Sequence, residues 1–346
     1  VRPTPATDRH VHQQARRRRS LAEVLSAADE GLRRGEGPAA AVWPTGFDAL
    51  DRALAGGMRS GELVLVAGAQ AQGKTTFTVQ AMRSVARSGR HAVLFSYEHE
   101  SGTLLERLIA LEAAELADDP ALAPGVHGVR RALEAQIAAK SLSEALAGVP
   151  YGLEALQAME TYAERLSVHE SNPATDLAAI AGIVDELTST TGEPPLVAID
   201  YLQKVPVPGH EGSEEERLAV IAEALKDLAL EYRCPVLAVS AAEKESLGAG
   251  HRMRAHHLRG ASSLAYEADI VLVLSGKDDI VSREHLVYDL SRLQQFRGFS
   301  VFSLEKNRHG LDHVDLEFAK DFANGRYVPH GKLVEERLIE ERVITS

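Results

Sequence analysis

Short apolar runs alternating with helical stripes set the pattern of this chain. The runs at 63–66, 92–96, 196–199, 236–240 and 270–274 are apolar at almost every position. Strands that alternate bury one face, whereas continuous runs suit a parallel sheet covered on both sides. Between them the spacing turns helical: Leu218, Ile221, Leu225 and Leu228 make one stripe over 214–232. The alanine- and leucine-rich stretch 101–165 is long for one crossover and reads as several helices laid against the sheet. After residue 276 the texture changes. Segments 285–289, 299–306 and 314–318 predict antiparallel strands, with turns near 307–310 and 324–325.

The two ends read differently. Residues 1–19 are polar and unpatterned, which predicts a disordered arm. Ser20 then opens a capping box with Glu23, and Leu21, Val24, Leu25, Ala28 and Leu32 fall at helical spacing before Gly35-Glu36-Gly37-Pro38 stops the helix. A helix this short is not stable alone, so its apolar stripe must dock, either on its own domain or on a neighbouring subunit. From Lys332 onward an acidic, amphipathic terminal helix or tail is expected. The predicted layout is an arm (1–19), a linker helix (20–34), one α/β domain (44–330) and a tail (331–346).

Composition changes this picture in three places. Of 346 residues, 45% are hydrophobic and 25% charged, the balance of an ordinary globular protein. No run approaches the roughly 20 apolar residues that span a bilayer, and the polar start is no signal peptide. The single cysteine, Cys234, excludes a disulfide framework and fits a reducing, cytoplasmic setting; before Pro235 and the next apolar run it reads as packing. The net charge of −12 argues against a protein that coats nucleic acid non-specifically. It is unevenly spread, because residues 1–19 carry six arginines and one acid.

The chemistry is concentrated after the first run. Gly68-Ala69-Gln70-Ala71-Gln72-Gly73-Lys74-Thr75 is a complete G-x-x-x-x-G-K-[ST] loop between a predicted strand and a predicted helix that continues at Thr76. Such a loop wraps phosphates with backbone N–H groups at a helix N-terminus, where the dipole favours anions. Lys74 then reaches the β/γ-phosphates of a nucleoside triphosphate, and the Thr75 hydroxyl ligates Mg²⁺. Asp200 ends the run at 196–199 and is placed to support that metal through its water shell. Glu98 follows the run at 92–96, where a carboxylate activates the attacking water. Glu100 is close enough to take the same role.

These residues, with others in fixed order, resemble a known family. Pro44-Thr45-Gly46-Phe47-Asp48, the phosphate loop, Ser96-Tyr97-Glu98 and Asp200-Tyr201-Leu202-Gln203 come first. Leu258-Arg259-Gly260-Ala261-Ser262, Tyr266-Glu267-Ala268-Asp269 and Lys306-Asn307-Arg308-His309-Gly310 follow. Together they resemble the ATPase domain of DnaB-type replicative helicases, a branch of the RecA-like P-loop NTPase fold, over roughly 44–330. The resemblance implies ATP hydrolysis with Mg²⁺, a ring-shaped homo-oligomer (a hexamer), and action on single-stranded DNA. It makes Glu98 the catalytic base and the helix at 20–34 a linker that docks on the adjacent subunit. It also makes Lys306 and Arg308 a pair entering a neighbour's site, with Arg308 as arginine finger. Two cations two residues apart on a strand point to the same side, as that role needs.

Departures from the family pattern carry expectations of their own. Ala241 stands where a phosphate-sensing glutamine is expected, and alanine cannot report phosphate by hydrogen bonding; Ser240 or Glu243 is left to substitute. The segment 206–217 holds four carboxylates and one arginine, a poor track for DNA phosphates. The segment 244–259 is better, and Arg252, Arg254 and Arg259 are the expected nucleic-acid contacts. The family's primase-recruiting helical domain has no counterpart here, so no primase contact through it is expected. Two functions stay open at this point: a ring helicase or translocase on single-stranded DNA, and an assembling RecA-like ATPase that does not unwind.

Overall fold

The computed structural model describes residues 20–35, 41–135, 140–241, 252–258, 261–282 and 290–339. The chain divides into two compact units, at Ala41 and Val42. In the first, α1 (Leu21–Arg33) is capped as its sequence dictates: Glu23 N–H donates to Ser20 Oγ while Ser20 N–H donates to the Glu23 carboxylate. Leu21, Val24, Leu25 and Leu32 are exposed.

The second unit is built on a sheet. Its strands are β1 (Val42–Trp43), β2 (Met58–Arg59), β3 (Leu63–Gly68), β4 (Ala92–Ser96), β5 (Leu166–Glu170) and β6 (Leu196–Asp200). They continue with β7 (Val236–Ala241), β8 (Ile270–Gly276), β9 (Phe299–Asn307), β10 (Val314–Asp321), β11 (Arg326–Tyr327) and β12 (Lys332–Leu333). Strands β1 and β2 form a small ribbon; the other ten make one sheet in the order β11-β10-β9-β8-β3-β7-β6-β4-β5, with β12 beside β10. From β5 to β8 every pairing is parallel, and from β8 to β11 every pairing is antiparallel. This is the predicted mostly parallel sheet with an antiparallel extension.

Helices cover both faces. They are α2 (Asp48–Ala53), α3 (Lys74–Arg87), α4 (Ser101–Leu116), α5 (Gly125–Ala135), α6 (Leu142–Leu146), α7 (Gly152–Glu160) and α8 (Leu177–Thr191). Then come α9 (Glu214–Tyr232), α10 (Ala261–Glu267), α11 (Lys277–Ile280) and α12 (Leu290–Arg297). The stretch 101–165 is indeed several helices, α4 to α7. Stripes of α8 and α9 pack one sheet face around Ile180, Val184, Leu218, Ile221 and Leu225. Beside α3, five rings (Phe47, Phe77, Phe302, Phe318 and Tyr327) join at centroid distances such as 5.0 Å for Phe47–Phe77 and 4.6 Å for Phe302–Phe318. Rings of this size dominate burial and lock the antiparallel extension to the helix behind the phosphate loop. Cys234 is fully buried, and burial pushes its thiol up to about 12.

Where a terminal helix or tail was expected, the described residues form β12 and then an irregular segment whose Leu338 bridges to Val281. Val334 and Leu338 pack against Ile280, Val281, Phe296 and Val301; an extended chain reaches that cluster while completing the sheet edge, which a helix cannot do. The edge strand β5 was not anticipated. The predicted strand at 285–289 and the arm at 1–19 lie outside the described residues.

Candidate nucleotide site

The site forms where β3 ends and α3 begins. Gly73 sits at φ 76° as the N-cap of α3, and Tyr327 and Phe322 already fill the space a Cβ would take. Both the backbone conformation and the crowding require glycine there. Tyr327 fixes the loop from behind: its hydroxyl donates to the Gln72 carbonyl at 2.7 Å, and its backbone exchanges two hydrogen bonds with the Gln80 side chain.

Lys74, Thr75 and Asp200 lie together at this end of the sheet. Lys74 Nζ donates to the Gly68 and Ala69 carbonyls, each at 2.8 Å. Burial lowers its pKa, opposed by the charges of Asp200 and Glu98. The Thr75 hydroxyl donates to Asp200 Oδ2 at 2.7 Å. Asp200 is 2% exposed, and burial raises its pKa; the Thr75 hydrogen bond pulls the other way and the Glu98 charge adds to the rise. Among the described residues no group of three or more His, Cys, Asp or Glu is arranged to hold a metal. A hydroxyl and a carboxylate are instead the few hard oxygens that suit Mg²⁺ when phosphates and water complete its shell.

Glu98 stands on the turn after β4. Ser96 holds that turn: its hydroxyl donates to the His99 carbonyl at 2.6 Å and accepts from the His99 N–H at 3.1 Å. The Tyr97 N–H donates to the Asp200 carbonyl at 2.8 Å, tying the turn to the end of β6. Glu98 is the carboxylate whose charge acts on both Lys74 and Asp200, whereas Glu100 occupies the N-cap position of α4 without a capping bond. The charge of Glu98 thus bears on both Lys74 and Asp200, and that of Glu100 on neither.

One cation near the site was missed. Arg107, on α4, is half-buried, which lowers its pKa, while the Asp200 charge opposes that shift. Its signal was an arginine flanked by the buried positions Leu104 and Leu108. Only the packing of α4 by the β5 edge of the sheet brings its charge within reach of Asp200.

Lys306 and Arg308 are elsewhere. At the end of β9, Lys306 pairs with Val271 and Asn307 with Ile270, whereas Gly68 pairs with Leu274 at the opposite end of β8. Four strand residues separate the two levels by roughly 13 Å, on opposite edges of the sheet. Lys306 Nζ donates to the Ala265 and Tyr266 carbonyls at 2.7 and 3.2 Å; Arg308 donates to Tyr266 O at 2.8 Å and faces Asp269 at 3.4 Å. Neither cation joins the phosphate loop of its own chain.

The three predicted nucleic-acid arginines fare unequally. Arg252 is 4% exposed and pairs with Asp315 and the Ser303 hydroxyl, so it is a buried structural cation and not a surface contact. Arg254 is partly exposed and pairs with Glu305 at 2.8 Å. Arg259 lies outside the described residues, as do Lys244 and His251.

A phosphate loop, a buried acid at the end of β6 and a carboxylate after β4, set on this sheet, define a RecA-like P-loop ATPase domain. Residues 43–325 match the family model for the DnaB-like helicase C-terminal domain. The chain belongs to that family. Among its relatives, the replicative DNA helicase DnaB of Rhodothermus marinus is 26% identical over 321 residues, 90% of this chain and 30% of that protein. The DnaB of Pasteurella multocida is 25% identical over 300 residues, 86% of this chain and 56% of that protein. The chain thus spans at most about half the length of these two relatives. A solved ATPase domain superposes with TM-score 0.69 at 20% identity, covering 89% of this chain and 98% of that one. A solved DnaB-like replicative helicase, described with its primase interactions, gives TM-score 0.65 at 19% identity over 90% of this chain and 67% of that one.

Proposed function

We propose that this chain is the ATP-driven motor of a DNA helicase, working on single-stranded DNA as a ring of identical subunits, a hexamer in the cytoplasm. The observation that carries the reading is the division of the chemistry between two sheet edges. Lys74, Thr75, Asp200 and Glu98 converge at one edge, while Lys306 and Arg308 stand at the other. A nucleotide bound at one subunit's loop is then completed by the facing edge of the next.

In this mechanism the loop N–H groups and Lys74 hold the phosphates of ATP. Thr75 and Asp200 would hold Mg²⁺, whose chemistry is to neutralise phosphate charge and align the leaving group. Glu98 orients a water and takes its proton as the water oxygen bonds to the γ-phosphorus. The bond from that phosphorus to the bridging oxygen breaks, and ADP keeps the bridging oxygen. Arg308 and Lys306 of a neighbour, with Arg107 in the same chain, stabilise charge on the transferring group. No helix among the described residues is long and apolar enough to cross a membrane.

Strand displacement from a forked duplex, with Mg²⁺ and ATP, tests the reading. Displacement that requires hydrolysis supports the helicase. Vigorous turnover without displacement supports the non-unwinding ATPase, the reading favoured by the acidic segment 206–217 and by the internal pairing of Arg252.

A further inference from the structure

Backbone pairing between β6 and β7 stops before β7 does. Val197, Ala198 and Ile199 pair with Val236, Leu237 and Ala238. On its other side β7 runs on beside β3, with Ser240 opposite Ala67 and Ala241 opposite Gly68, the first residue of the phosphate loop. A side chain takes over where β6 leaves off. Gln203 Oε1 accepts from the Ala241 N–H at 3.1 Å, and its Nε2 donates to the Ser240 hydroxyl at 3.0 Å. A primary amide carries the same kinds of donor and acceptor as a peptide group, so Gln203 extends the sheet sideways by one rung.

Gln203 is 8% exposed, and leaving its buried partners unmatched is costly. Its own carbonyl is held in turn. Arg217, in the first turns of α9, donates to Gln203 O at 2.9 Å and to Val205 O at 3.0 Å. One residue, three positions beyond Asp200, therefore touches the strand end beside the phosphate loop and is linked through Arg217 to Val205, just before the segment 206–213.

We propose that Gln203 is a positioning residue that couples the nucleotide site to the segment 206–213. It acts through the backbone of Ala241 and through Arg217, and touches no reacting atom. The coupling to DNA rests on the proposed helicase reading; the coupling within the chain does not.

The test compares wild type with Gln203→Leu, which keeps an apolar stem in the buried position and loses both hydrogen bonds. Gln203→Glu, which keeps the acceptor for Ala241 and loses the donor, is the second variant. Hydrogen exchange is followed over 203–217 and 236–241 with and without Mg²⁺ and ATPγS, and turnover is measured with and without oligo(dT). In wild type, nucleotide is expected to slow exchange over 203–217. In Gln203→Leu that response disappears although ATPγS still binds, and any stimulation by oligo(dT) falls about tenfold; Gln203→Glu falls between. A Gln203→Leu protein that binds ATPγS and keeps the wild-type exchange response overturns the coupling, as does a wild type with no response there. If wild type responds in exchange but not to oligo(dT), the DNA reading fails and the coupling stands. If Gln203→Leu does not fold, Gln203→Glu decides, and a full wild-type response in it overturns the proposal.

Discussion

The Thr75 hydroxyl donates to Asp200 at 2.7 Å, joining the first turn of α3 to the end of β6 across 125 positions of sequence. That bond sets the spacing of the two oxygens that would face Mg²⁺. Thr75→Ala should lower turnover by at least about a hundredfold and raise the Mg²⁺ concentration needed for half-maximal rate. Lys74→Ala should remove turnover together with triphosphate affinity. Steady-state rates over a Mg²⁺ series, with equilibrium titration of a fluorescent ATP analogue, check both.

Asp200 carries a pH signature. Burial raises its carboxyl pKa above the ordinary value, so the folded state binds a proton more tightly than the unfolded chain. Its contribution is therefore favourable in acid and is lost as pH rises through the folded-state pKa. Asp200→Asn, neutral at every pH, should be more stable than wild type near neutrality by about 1 kcal/mol. The gap should close in acid, where both side chains are uncharged, while turnover is lost throughout. Thermal melts of the two proteins across pH measure the gap; a constant difference would remove the titration of Asp200 from the account.

Arg308 stands at the sheet edge opposite its own phosphate loop, 44% exposed and leaning on the Tyr266 carbonyl. Arg308→Ala should cut turnover about a thousandfold with nucleotide affinity nearly unchanged. Lys306→Ala should act in the same direction. Wild-type turnover in Arg308→Ala would refute the trans assignment.

Arg252 distinguishes a structural cation from a DNA contact. Removing the buried Arg252 leaves the partly exposed Asp315 without its countercharge and a void where the guanidinium packed. Arg252→Ala should therefore cost about 3 kcal/mol of stability, seen as a lower midpoint in urea. The double variant Arg252→Met, Asp315→Leu should recover much of that loss. If the single variant melts like wild type and only loses affinity for oligo(dT), the pair has been misjudged.

Local chemistry was legible in the sequence, and long-range partnership was not. The phosphate loop, Asp200 and Glu98 each follow a strand directly, so strand, loop and helix in order were enough to place them. The capping box at Ser20 and the stripe of α9 are equally local. Leu166–Glu170 escaped notice because its sequence mixes apolar and polar residues at a sheet edge, right after a long helical region. Arg252 looked solvent-facing among glycines and histidines, yet its partners Ser303 and Asp315 arrive 51 and 63 positions later. Arg107 and Gln203 acquire meaning only when α4 is packed by β5 and β7 is paired with β6.

The claim that one catalytic site is shared between subunits is tested most directly by the ATP hydrolysis rate per protomer. It should be measured over a wide range of protein concentration, with and without oligo(dT). The rate per protomer is expected to climb cooperatively with concentration and to rise further with DNA, because Arg308 reaches a nucleotide only on assembly. A rate per protomer that is independent of concentration and indifferent to DNA would contradict the account.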